Sequence, residues 1–420
     1  MDAHETAAAA PRHAPMTQFA SAGGQLLVGG EALETLAERV GQTPFFAYDR
    51  GLLRGRVDEL RSALPAGIRL HYAMKANPMP AVVGLMAQLV DGIDVASAGE
   101  LKVALDAGAD AREISFAGPG KREAELRQAV ASRVLINLES MREVRLLADI
   151  GGRLGIAARV AVRVNPDFEL KGSGMKMGGG PKQFGVDVEQ VPAMLEAIAA
   201  AGLQFEGFHL FAGSQNLRAE AICEAQLKSY ELALRLSANG TATVRSLNLG
   251  GGFGIPYFPG EQRLDLAPIA DNLRQLQERA ARDLPAASIV LELGRYLVGE
   301  AGLYVTRILD RKVSRGKVFL VTDGGLNHHL SASGNFGQVI RKNYPVAIGN
   351  RQGDAAIEAG WEEATIVGPL CTPLDLLADR MTLPVAQPGD LVVVFQSGAY
   401  GASASPQAFL GHPGCTEVLV

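Results

Sequence analysis

Between residues 45 and 299, eight short apolar or β-branched runs alternate with longer segments that carry apolar residues at three- and four-residue spacing. The runs are LHYAM (70–74), GIDVA (92–96), EISFA (113–117), RVLIN (133–137), RVAVRVN (159–165), FEGFHLF (205–211), VRSLNLG (244–250) and SIVLELG (288–294). This alternation is the arrangement expected of repeated βα units and a parallel sheet. Eight such units are the number that closes a (β/α)8 barrel, and segments such as PAVVGLMAQLV and EAELRQAVA would form its outer ring.

After residue 300 the rhythm changes to LYVTRILDRK, VFLVTD, EATIVG and DLVVVFQ, fully apolar or period-two runs without long helices. This predicts an α/β chain of two domains: a TIM-like barrel over 45–299 and a mainly β domain, sandwich- or barrel-like, over 300–420. The segment 17–44 opens with a strand and a short helix and is assigned to the β domain, while residues 1–16 read as a flexible tail. The 420-residue length fits two domains.

A net charge of -5 gives no general attraction for nucleic acid or an anionic membrane. No run approaches the ~20 apolar residues of a membrane-spanning helix. Cys223, Cys371 and Cys415 are odd in number and scattered, which argues against a disulfide framework and for a reducing, cytoplasmic setting.

Barrel enzymes build their sites at the carboxyl ends of the strands, so polar residues there are functional candidates. Lys75 ends the first strand, Asp94 and Ser97 the second and Asn165 the fifth; His209 and Ser214 flank the sixth, Gly250, Gly251 and Gly252 follow the seventh, and Glu292 and Arg295 end the eighth. A lone lysine at such a place is commonly a salt-bridge partner, yet a desolvated one becomes a carbonyl nucleophile. Three successive glycines after the seventh strand suit close approach of the backbone to an anion better than they suit a plain turn. Glu292 lies within SIVLELG, where an ionised carboxylate needs a partner, either a neighbouring cation or a ligand N–H. The glycine-rich stretch 171–185 lacks the ending of a nucleotide P-loop and reads as a mobile active-site loop or a long connection.

YAMKAN, DVASAGEL, RVNPD, GSQ, GGGFG, ELGR, DGG, the Cys371 to Asp375 segment and GAYG follow one another in order. Together they resemble the fold-type III pyridoxal-phosphate decarboxylases, the family of diaminopimelate and ornithine decarboxylases, over nearly the whole chain from residue 40. The resemblance implies pyridoxal 5'-phosphate as cofactor, Lys75 as its Schiff-base lysine, and Ser214, Gly251, Gly252, Gly294, Arg295 and Tyr400 as phosphate contacts. It also implies Glu292 at the ring nitrogen, His209 and Phe211 at the ring, and Cys371 as the proton donor, entering from the second subunit of a homodimer. Arg295, Thr372, Asp375 and Tyr400 are the implied substrate contacts, and no metal is implied.

Three departures bear on the substrate. Diaminopimelate decarboxylases have Glu where this chain has Thr372, an Arg where it has Ser331, and a stacking His where it has Phe211. A pocket built for charges discriminates by leaving them unpaired, so the loss of both charged partners argues against diaminopimelate. VNPDFELKGSGMKMGGGPKQFG, GPLCTPLDLLADR and SGAYGASASPQAFLGHP look like exosortase-associated decarboxylases and those acting on carrier-bound glutamyl groups. That resemblance implies an amino-acid moiety attached to something larger. His328 and His329, adjacent rather than spaced for a metal, read as loop residues. An amino-acid racemase on the same barrel and a non-catalytic cofactor-binding protein are the alternatives; Glu292 and Cys371 argue against the first, and the β domain with its Cys371 and Tyr400 segments against the second.

Overall fold

The computed structural model describes residues 12–168, 175, 176, 178–238 and 243–420. All eight expected strands are present, as Arg69–Ala73, Gly92–Val95, Ile114–Phe116, Leu135–Leu138, Arg159–Asn165, Gln204–Leu210, Ser246–Gly251 and Ser288–Leu293. They pair in parallel in that order, and the eighth returns to the first through Glu292 opposite His71, so the sheet closes. Helices pack one stripe against it. In Ala267–Asp283 the buried positions are Ile269, Ala270, Leu273, Leu276 and Ala280, the three- to four-residue spacing of a single face. Asp49 and Ser97 start two of the ring helices by accepting the amides of Leu52 and Glu100 at 3.0 and 3.1 Å. Ser97 is thereby a helix cap and not a site residue.

The second domain is a mixed sheet centred on the long strand Gly302–Ser314, which hydrogen bonds to Phe45–Tyr48, Leu391–Val394 and Lys317–Thr322. Its inner strands are buried on both faces by simple alternation. Phe46, Tyr48, Tyr304, Val392 and Val394 join the main core, while Phe45, Ala47, Leu303, Val305, Leu391 and Val393 pack a smaller one under the helix Leu33–Val40. Phe45–Tyr48, counted with the barrel in the sequence reading, is therefore a strand of the second sheet. Val346–Ile348, Leu376–Pro384 and Thr416–Leu419 are also strands here, the last running parallel to Phe45–Tyr48. Among the described residues no helix is long and apolar enough to cross a membrane.

One junction matters for the site. The turn 397–401 of the second domain is tied to the end of the first barrel strand by Tyr400 N–H donating to Ala76 O at 2.7 Å and Asn77 Nδ2 donating to Gly398 O at 3.0 Å.

Candidate active site

The barrel interior is polar towards its carboxyl end. Lys75 sits on the one-turn helix Met74–Ala76, where Met74 and Ala76 are buried and the lysine side chain stays exposed at the mouth. Its Nζ lies 5.4 Å from the centre of the Phe211 ring, within range of a cation–π attraction. Below it, Glu292 Oε2 is 2.9 Å from His209 Nε2, and both side chains are almost fully buried. Burial opposes ionisation of Glu292, but His209, Lys75 and Arg163 outweigh it and hold the carboxyl at about 2. A second buried pair, His71 Nδ1 to Asp94 Oδ1 at 3.1 Å, lies on neighbouring strands; burial raises the Asp94 pKa against the opposing pull of His71. His71 was not singled out in the sequence, although it interrupts an apolar run just as Glu292 does.

Beside Lys75 lies a small cavity whose walls include Phe211, Ser214, Gly252, Glu292, Gly294, Arg295 and Tyr400. Two buried polar atoms here, Ser214 Oγ and Arg295 Nε, have no hydrogen-bond partner among the described residues, an arrangement that costs free energy unless a ligand completes it. The Arg295 guanidinium is fixed by donating to Tyr257 Oη at 3.1 Å, with the Tyr257 and Tyr400 rings 5.3 and 4.7 Å away. The glycines make the approach. Gly250 and Gly252 have φ of 69° and 79°, and a Cβ on Gly251 would collide with the Glu292 carbonyl oxygen. Pyridoxal phosphate fits this set: an amine at the mouth, orphaned donors for a phosphate, and a buried carboxylate for a ring N–H.

Not every expected residue joins this group. Cys371 is exposed, and Thr372 lines a separate cavity of about 610 Å³ on the second domain with Lys317 and Phe319. Asp375, assigned to substrate by resemblance, instead accepts the backbone N–H groups of Leu326 and Leu370 at 2.6 and 2.8 Å and is 3% exposed. It pins the Cys371 turn to the segment after DGG. Asp375→Ala is expected to cost about 2 kcal/mol by stranding two buried donors, read as a lowered urea midpoint with cofactor affinity unchanged. His329 is a core residue whose pKa falls to about 3 through burial, and His328 donates to Pro413 O at 2.8 Å. Ser331 donates to the Tyr400 carbonyl at 2.9 Å.

Of the 171–185 stretch, residues 171–174 and 177 lie outside the described residues. Met175 and Lys176 pair with Ser214 and Gly213, and Asn165 accepts from Gly179 N–H and donates to Gly180 O. Asn165 thus anchors this stretch across the strand end that carries Ser214.

A closed parallel barrel with a mouth lysine, an anion cradle and a buried carboxylate, capped by a β domain, is the arrangement of a cofactor-dependent barrel enzyme. Residues 50–299 match the family described as pyridoxal-dependent decarboxylase, pyridoxal binding domain. The chain belongs to the pyridoxal-dependent decarboxylases, and its cofactor is pyridoxal 5'-phosphate. It is 40% identical to the L-glutamyl-(BtrI acyl-carrier protein) decarboxylase of Niallia circulans, covering 90% of this chain and 89% of that one. It is 35% identical to the diaminopimelate decarboxylase of Aquifex aeolicus, covering 94% and 91%. The crystal structure of Helicobacter pylori diaminopimelate decarboxylase in complex with L-lysine superposes with a TM-score of 0.81 at 28% identity, covering 92% of this chain and 94% of that one.

Proposed function

We propose that this enzyme decarboxylates an amino-acid moiety joined to a carrier protein, at a site completed by a second copy of the chain. The observation that carries the substrate reading is the neutral character of the positions expected to grip a distal charge, Thr372 and Ser331, together with the likeness to the carrier-protein decarboxylase of Niallia circulans. When bound, the cofactor supplies a sink for the electron pair left when the carboxylate departs as carbon dioxide. Ser214 Oγ and the Arg295 guanidinium would hold its phosphate, and Glu292 would accept the ring N–H and keep that proton in place. Lys75, the amine at the mouth, would tether the cofactor, and Phe211 would pack on its ring. Cys371 returns a proton to the carbon that lost the carboxylate.

Cys371 does not line the cavity around its own Lys75, which supports the head-to-tail homodimer. Cys371→Ala is expected to lower carbon dioxide release by about 100-fold with cofactor absorbance retained. Mixing Cys371→Ala with Lys75→Ala subunits should restore activity to about a quarter of wild type, since each mixed dimer has one intact composite site. Two inactive variants that stay inactive when mixed would overturn the shared site. The substrate reading is tested by carbon dioxide release from free glutamate, diaminopimelate and a glutamyl group on a carrier protein. Turnover of the carrier-linked group is the expected result, and turnover of diaminopimelate alone would refute it.

A further inference from the structure

A groove of about 1070 Å³ lies outside the Lys75 cavity and is lined by Arg12, His13, Arg341, Lys342 and Arg380 among others, with Asp379 its one acidic residue among the described residues. The chain as a whole has a net charge of -5, so this excess of positive charge is local. Arg341 is the best placed of the set. Its guanidinium donates to the carbonyl oxygens of Ser333 and Leu376 at 3.1 and 2.7 Å and to Asn343 Oδ1 at 3.0 Å. These neutral acceptors fix its plane, and Asp379 is the acidic group that acts on its charge. Arg380 forms its ion pair with Asp379 at 3.1 Å, which leaves the groove with cations to spare.

Side-chain contacts link the groove's Lys342 to the active site. Lys342 Nζ lies 5.5 Å from the centre of the Phe258 ring, Phe258 packs on Tyr257, and Tyr257 accepts from Arg295. On the same segment Phe336 lies against Tyr400, ring centres 6.3 Å apart. Val339, 99% exposed, and Ile340, 78% exposed, precede Arg341, and the exposed Trp361 lines the groove. From Arg295 outward, these contacts run through the aromatic rings of Tyr257 and Phe258 to the positive charge of Lys342. That sequence of chemistries fits a molecule with its reacting end at one terminus, a long neutral arm, and an anion at the far end.

We propose that this groove binds the phosphodiester end of a carrier protein's phosphopantetheinyl arm, with Arg341, Lys342 and Arg380 as its anion contacts. The inference rests on the carrier-linked reading above, and it places recognition of the carrier in the second domain. A charge-assisted contact to a phosphate distinguishes arms that differ only in that group.

The test uses the holoenzyme and two unacylated probes, phosphopantetheine and pantetheine, titrated by calorimetry, so that it does not depend on which amino-acid moiety is the substrate. Phosphopantetheine is expected to bind about tenfold or more tightly than pantetheine, with the difference shrinking at high salt. Lys342→Glu with Arg380→Glu, both exposed side chains, should erase the difference while leaving pantetheine binding and the sedimentation coefficient unchanged. Equal affinity of wild type for the two probes would overturn the groove's role while leaving decarboxylation of a carrier-linked group intact. A shift of the double variant to a different oligomeric state would overturn it too, by identifying the groove as a subunit contact. Failure of wild type to release carbon dioxide from any carrier-linked substrate, with the phosphate preference present, would instead strike the substrate reading.

Discussion

Lys75→Ala is expected to lower carbon dioxide release at least about a thousandfold while the protein keeps its fold. The side chain is exposed at the mouth and packs no core, so its removal costs stability little. Its amine stands 5.4 Å from the Phe211 ring centre, beside a cradle whose buried donors lack partners among the described residues. Circular dichroism and the urea midpoint should match wild type, and the cofactor should be removable by dialysis because only the phosphate cradle and Glu292 would retain it. Retention of turnover within tenfold of wild type would remove Lys75 from the chemistry.

Glu292→Gln is expected to lower turnover by about 100-fold or more and also to change how stability depends on pH. The carboxyl has an ordinary value of 4.5 and is held at about 2 in the folded chain. A depressed carboxyl pKa adds stability above the unfolded value and loses it as pH falls through the folded one. Wild type should therefore lose a contribution between pH 4.5 and about 2 that Glu292→Gln lacks. Urea unfolding at stepped pH across that window should give a flatter curve for the variant. An equally steep curve would mean that His209 does not hold the Glu292 charge. The amide would still face His209 Nε2, so packing is kept and the comparison isolates the charge.

The barrel was legible because its strands are largely buried and most of them lead into an amphipathic helix, so composition and period agree. The strand Leu376–Pro384 was not legible: Asp379, Arg380 and Thr382 interrupt its apolar character, Arg380 takes a φ of 48°, and the register shifts against Trp361–Val367. Thr416–Leu419 is only four residues long and owes its place to the buried strand Phe45–Tyr48 beside it. The residues around Lys75 could be found from strand ends, because the fold itself aims those ends at one mouth. Asp375 could not be assigned that way. Its role depends on two amides, Leu326 and Leu370, that only the folded chain brings together. Cys371 and Thr372 mark the other limit, since the described chain does not bring them to its own Lys75 cavity.

The most direct measurement is to reduce the cofactor-loaded enzyme with borohydride and map the modified peptide by mass spectrometry. The account predicts a single pyridoxyl phosphate adduct, on Lys75 in the sequence HYAMKANP. An adduct on any other lysine, with Lys75 recovered unmodified, would contradict it.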